Sequence, residues 1–194
     1  MMSIEAIIAS LSYLGIFLLM ITNGIFSTPS SQILYIISGY FVSTGVLNFW
    51  FVLICGAIGN TIGNVLLYEA TKKKGLHYVM KFNLLSERDV KKTEIAFKKK
   101  GALFILIGKL LPTIKVIVPI VAAIGKLKRK TFIALMFLGS LIWASAFMGI
   151  GFIFGKSTKV FTIYAPIILL ISVVVVWIFY RYINSKEILD ELEK

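Results

Sequence analysis

Cysteine and histidine are almost missing from this sequence: Cys55 and His77 stand alone among 194 residues. One of each excludes a disulfide framework, a zinc cluster and paired-thiol redox chemistry. Cys55 reads as a packing residue and His77 as part of a solvated loop. Acidic residues are scarce as well, nine against 21 Lys and Arg. No His-Asp pair, acidic metal cluster or activated nucleophile can be assembled from them, which argues against an enzyme such as a lipid phosphatase or acyltransferase, and no cofactor is expected. Basic residues are themselves absent before Lys72. The N-terminal apolar stretch therefore lacks the basic start of a secretory signal; with no cleavage-like site and more apolar stretches behind it, it reads as a retained helix.

What is present is apolar. Hydrophobic residues make up 58% of the chain and charged ones 15%, a balance that suits a bilayer better than water. A spanning helix needs roughly 20 apolar residues, and several such stretches fit with short connections, giving one membrane domain over about residues 1–184 and a charged tail over 185–194.

The positive charge is placed unevenly. Ten Lys and Arg lie between Lys72 and Lys100, against only Glu87, Asp89 and Glu94, so the loop over about 71–101 is expected in the cytoplasm. A second basic cluster, Lys126, Lys128, Arg129 and Lys130, follows the apolar stretch from Ala102 to Gly125. If that stretch crossed the membrane, one basic loop would lie on the wrong side. A stretch that enters and returns removes the conflict. Pro112 and Pro119 interrupt it, and Lys109 and Lys115 would be costly facing lipid but tolerable around a polar cavity.

The expected fold is therefore all-α and integral to the membrane: four spanning helices plus two re-entrant helical hairpins. Helix 1 covers about 4–22, a first hairpin about Asn23 to Gly45 turns near Ser27-Thr28-Pro29-Ser30-Ser31, and a spanning helix runs from about Asn48 to Ala70. The second hairpin covers 102–125, and residues 131–154 and 161–181 span. Both termini then lie in the cytoplasm, with Lys156 and Lys159 outside. Residues Ser86 to Lys100 carry a thin apolar stripe of Val90, Ile95 and Phe97 and read as a surface helix or a solvated connector touching anionic lipid. The tail, SKEILDELEK, reads as a short helix at a solvated end; self-association through it into a homo-oligomer stays open.

An internal repeat supports this plan. At an offset of 83 residues Pro29 falls on Pro112, Gln32 on Lys115, Phe49 on Phe132, Gly56 on Gly139 and Gly39 on Ala122. The parts recur in one order, so repeat 1 covers about 23–70 and repeat 2 about 102–154. A single crossing between the hairpins turns the second repeat upside down. Inverted repeats of this kind place a site near the midplane, where broken helices meet and their N-terminal ends can hold an anion.

These residues resemble the DedA family, also called SNARE-associated or VTT-domain membrane proteins, over roughly residues 15–156. The second hairpin carries the closest match, with Phe97 and Gly101, then Lys109-Leu110-Leu111-Pro112-Thr113-Ile114-Lys115, Ala122-Ala123, Phe132, and Gly139 with Trp143. The first half fits at Asn23, Thr28, Ser30, Ser31, Gln32 and Gly39, and then at Gly59, Gly63, Asn64 and Tyr68. Family acids are amides here at Asn23, Gln32 and Asn64, and both family arginines are lysines. The resemblance implies translocation of a polyprenyl phosphate, such as undecaprenyl phosphate, or of a phospholipid across the cytoplasmic membrane, with proton coupling through the acids in some members. Amides cannot release a proton near physiological pH, which suits Asn23, Gln32 and Asn64 to hydrogen bonding rather than relay. Lysine keeps arginine's charge but not its bidentate fork.

The expected partner is thus a lipid with an anionic phosphate headgroup, attracted by Lys109 and Lys115 around Pro112 and helped by Asn23, Ser31, Gln32 and Asn64, with Tyr68 and Trp143 also implied. Plainer readings stand beside this one. The lysines could snorkel to headgroups, the amides could bond helices to one another, Gly59-x-x-x-Gly63 could serve close packing, and Tyr68 and Trp143 could be interface or packing residues. An ion-coupled transporter for a small solute and a non-transporting scaffold are the rival functions. Nucleic-acid binding does not explain a basic chain this apolar.

Overall fold

Proline is absent between Pro29 and Pro112 and again between Pro119 and Pro166, and the two longest helices occupy these two intervals. The structure is a computed structural model describing residues 4–28, 30–80, 87–111, 114–156, 170, 173–174, 177–178 and 180–192, with side chains for all of these except 4–11, 76–80, 87, 89 and 187. Every element among the described residues is helical: α1 Ile4–Phe26, α2 Ser31–Ser43, α3 Phe49–Met80, α4 Glu87–Lys100, α5 Ala102–Lys109, α6 Ile117–Ile124, α7 Arg129–Lys156 and α8 Lys186–Leu192.

Two stretches, the 27 residues Phe49–Gly75 of α3 and the 28 residues of α7, are long and apolar enough to cross a membrane, and Ser12–Phe26 of α1 is a shorter apolar helix. The α3 stretch starts at a well-made cap: Asn48 Oδ1 accepts from the amides of Trp50 and Phe51 at 2.9 and 3.3 Å, and the amide of Asn48 donates to the Tyr13 hydroxyl at 2.8 Å. It ends at Gly75, whose φ of 80° and ψ of 170° break the helix in a region that excludes most side chains.

Residues 102–125 are not one helix. α5 and α6 have eight residues each, about 12 Å of length, well short of a hydrocarbon core roughly 30 Å thick. The interruption lies between Lys109 and Ile117, where Pro112 and Thr113 are outside the described residues. Pro119 was expected to interrupt the helix and does not: it sits buried in the first turn of α6, where a missing N–H costs no intrahelical bond. The first hairpin also differs in its boundary. Asn23 opens no new segment, because α1 continues through it to Phe26 and ends where Ser27 takes a φ of 58°. Nothing before Ser27 competes with the helix, and Asn23 spends its side chain on a neighbouring helix instead. The order helix, turn, short helix, long helix occurs twice, as α1-α2-α3 and α5-α6-α7. The expected span over 161–181 falls largely outside the described residues.

The chain divides into two compact units. Unit 1 holds Met1–Asn64 and Phe137–Pro166. Met20, Tyr35, Val52, Ala144 and Met148 are at its core, and glycines let its helices touch backbone to backbone. A Cβ on Gly59 would lie 2.4 Å from the Phe17 carbonyl oxygen, and one on Gly63 would lie 2.2 Å from that of Ile21. The Gly59-x-x-x-Gly63 pair is thus a close-packing surface for α1. Ile33, Trp50, Phe51 and Ile142 face outward in this unit, the arrangement that lipid surroundings favour and water does not.

Unit 2 holds Val65–Met136 and Ile167–Lys194. Its core joins Phe104, Ile105, Val118, Ile120 and Phe132 with Val90, Ala96 and Phe97 of α4 and Ile188 of α8. The expectation of a solvated connector and a solvated end is corrected here. Val90, Ala96 and Ile188 are essentially without exposure, because the apolar residues of α4 recur at helical spacing and face α6 rather than water. Polar links fasten the same parts: Lys92 Nζ donates to Asn184 Oδ1 at 2.5 Å, and Lys99 pairs with Glu191 at 3.0 Å.

Candidate functional site

Three amides and a hydroxyl meet inside unit 1. Asn60 is at their centre: its Nδ2 donates to Asn23 Oδ1 at 2.9 Å, and its Oδ1 accepts from Ser140 Oγ and from Asn64 Nδ2, each at 3.0 Å. Asn64 Nδ2 also reaches the Asn60 carbonyl at 2.6 Å. All four side chains are buried, so α1, α3 and α7 are tied by groups that hydrocarbon cannot solvate. Asn23 and Asn64 are brought together through Asn60, which sequence reasoning missed. A signal was available: Asn60 precedes Asn64 by four residues, which puts both amides on one face of an otherwise apolar helix.

A second polar group lies at the start of α2. Trp143 Nε1 donates to Ser31 Oγ at 3.2 Å, and Gln32 Oε1 accepts from Ser30 Oγ at 2.9 Å and from Ser31 Oγ at 3.5 Å. The indole packs on Phe147 with ring centroids 4.6 Å apart. Ser140 and Trp143 are three residues apart on α7, one turn of the same face, so this helix carries a contact to each polar group.

Unit 2 holds the basic members of the expected site. Lys109 closes α5 and Lys115 lies in the turn before α6, and both are buried. The positive charge of Lys115 acts on Lys109. Two lysines within the apolar stretch 102–125 form a basic pair suited to attract an anion. Gly108 supplies the room for this turn, since a Cβ there would meet Val118 at 2.8 Å.

Tyr68 lies elsewhere in unit 2. Its ring stacks on Phe132 at 4.6 Å and its hydroxyl donates to the Leu127 carbonyl at 2.7 Å. These contacts make it a pin between α3 and the start of α7. Beside it opens a pocket of about 600 Å³ lined by Thr71, Lys72, Lys126, Lys128 and Arg129 among others, a second feature that the sequence reading did not assemble. Among the described residues no three His, Cys, Asp or Glu side chains converge on a metal-sized site.

The sequence profile of the VTT domain matches residues 17–153. A Bacillus subtilis protein named uncharacterized membrane protein YbfM is 28% identical over 156 residues, covering 78% of this chain and 96% of that protein. Undecaprenyl phosphate transporter A of the same organism is 25% identical over 157 residues, 77% of this chain and 79% of the relative. A Lactococcus lactis protein named alkaline phosphatase-like protein is 26% identical over 153 residues, 75% of this chain and 72% of the relative. No solved structure matches the chain.

Proposed function

Because the chain belongs to the VTT-domain, or DedA, family of membrane proteins, we propose that it is a transporter, not an enzyme, moving a phosphate-bearing lipid across the cytoplasmic membrane. The lipid is a polyprenyl phosphate, such as undecaprenyl phosphate, or a phospholipid. The observation that carries this reading is the pair of buried lysines, Lys109 and Lys115, in an otherwise apolar part of the protein. The transport named for the Bacillus subtilis relative supports it.

In this mechanism the two ammonium groups draw the headgroup phosphate out of the interfacial water while the tail stays in the bilayer. Asn23, Ser31, Gln32 and Asn64 supply neutral donors and acceptors, with Trp143 orienting the Ser31 hydroxyl. Four spanning helices and two re-entrant hairpins in inverted repeat, with both termini in the cytoplasm, would let the repeats rock and expose the site to each face in turn. Amides at the three family acid positions leave no carboxylate there to carry a coupling proton.

Reconstitution into liposomes with undecaprenyl phosphate on one leaflet tests the reading by following its appearance on the other. Losing a charge-assisted contact costs about 1.5–3 kcal/mol, so Lys109→Ala with Lys115→Ala is expected to slow transport at least tenfold. Transport unaffected by this double change removes the lysines from the mechanism. No transport of any phosphate-bearing lipid by the wild type, or release of inorganic phosphate in place of transport, overturns the function.

A further inference from the structure

The pocket beside Tyr68 gathers cations from two parts of the chain. Lys72 comes from the end of α3; Lys126, Lys128 and Arg129 come from the link between α6 and α7, and all four side chains are exposed. No acidic side chain lines it among the described residues. Glu69 pairs with Arg129 at 3.1 Å, which leaves three lysines in excess.

Several backbone acceptors at the end of α6 and in the link after it are already in use. The carbonyls of Val121, Ala122 and Ala123 accept from the amides of Gly125, Leu127 and Lys126 at 2.8, 2.9 and 3.2 Å, and the Leu127 carbonyl is held by the Tyr68 hydroxyl. Donors of positive charge are left facing the space, which selects an anion. At about 600 Å³ the pocket is in the range of small-molecule sites, large enough for a diphosphate or a lipid headgroup.

Lys126 gives an independent indication. The link closes α6 with the hydrogen-bond pattern that usually places glycine, in the left-handed conformation, just after the helix. Here the residue at that position is Lys126, with a φ of 53°. The glycine stands one place earlier, at Gly125, where a Cβ would come within 2.2 Å of the Phe97 ring. A lysine thus holds a strained position that glycine would fill without strain, and strain of this kind clusters at functional sites.

We propose that this pocket binds a phosphate-bearing anion through Lys72, Lys126 and Lys128, separately from the buried Lys109 and Lys115. The test exploits the strain. Lys126→Gly removes one cation and relieves the backbone, so binding and stability should move in opposite directions. Full-length protein in neutral detergent would be titrated calorimetrically with inorganic pyrophosphate, and in parallel placed in phosphatidylcholine nanodiscs with and without phosphatidylglycerol to score bound anionic lipid.

Lys126→Gly is expected to weaken binding of at least one probe about tenfold, with a Tm equal to or above that of the wild type. Loss confined to pyrophosphate assigns a soluble ligand, and loss confined to phosphatidylglycerol assigns a lipid headgroup. Wild-type binding of both probes by Lys126→Gly, binding of neither by the wild type, or a fall in Tm on this substitution overturns the proposal. So does pyrophosphate binding that Lys109→Ala with Lys115→Ala abolishes and Lys126→Gly does not.

Discussion

Replacing Asn60 by alanine removes the centre of the unit 1 network. Two bonds between helices go with it, to Asn23 on α1 at 2.9 Å and from Ser140 on α7 at 3.0 Å, as does the side-chain bond from Asn64 within α3. Interhelical hydrogen bonds in membrane proteins contribute about 0.6 kcal/mol on average and about 1.7 kcal/mol at most. Two of them therefore make Asn60→Ala cost about 1–3 kcal/mol, a Tm lowered by roughly 3–10 °C for a chain of this size. Cys55 is the one cysteine in the sequence and lies partly buried on the same helix, so a thiol-reactive fluorophore can report unfolding in detergent without an added cysteine. Ser140→Ala and the double substitution complete a cycle that isolates the Ser140–Asn60 bond, with a coupling expected near 0.6 kcal/mol. A Tm for Asn60→Ala within about 1 °C of the wild type, or strict additivity in the cycle, would refute the claim that this amide holds the three helices together.

Three further substitutions and a truncation probe the packing of the two units. Gly63→Ala would put a methyl group 2.2 Å from the Ile21 carbonyl oxygen, whereas a Cβ at Gly149 meets nothing within 4 Å. The first is expected to cost about 2–3 kcal/mol and the second to be neutral or stabilising; equal Tm values for the two variants would contradict the close approach of α1 and α3. In unit 2, Ile188→Ala empties a fully buried position and is expected to cost about 2–4 kcal/mol. Unchanged stability after ending the chain before Lys186 would show that α8 is not part of the core.

The long helices were legible because their signal is local. Phe49–Gly75 and Arg129–Lys156 are uninterrupted by proline, the first ends in charge and the second is bounded by it at both ends, and apolar length alone locates them. The turn at Ser27 and the break between α5 and α6 were legible for the same reason, as clusters of residues that do not continue a helix. The fate of α4 and the tail was not. Sequence shows their charge, and charge suggests water, but Val90 and Phe97 face inward because α4 packs on α6, and Ile188 because α8 packs on α4.

The candidate site divides in the same way. Lysines inside an apolar stretch announce themselves in sequence, because burying an ammonium group needs a reason wherever it occurs. Asn60 did not, since a lone amide becomes a centre only when Asn23 and Ser140, 37 and 80 residues away, arrive beside it. The strain at Lys126 is likewise invisible without coordinates, being a property of φ and of the Phe97 ring behind Gly125. By itself, the sequence determined the solvent, the long apolar helices, the family resemblance and the charged residues that bilayer burial makes conspicuous. Only the tertiary structure decided which polar groups satisfy one another and which cations line a pocket, because both depend on distances between residues that the chain keeps far apart.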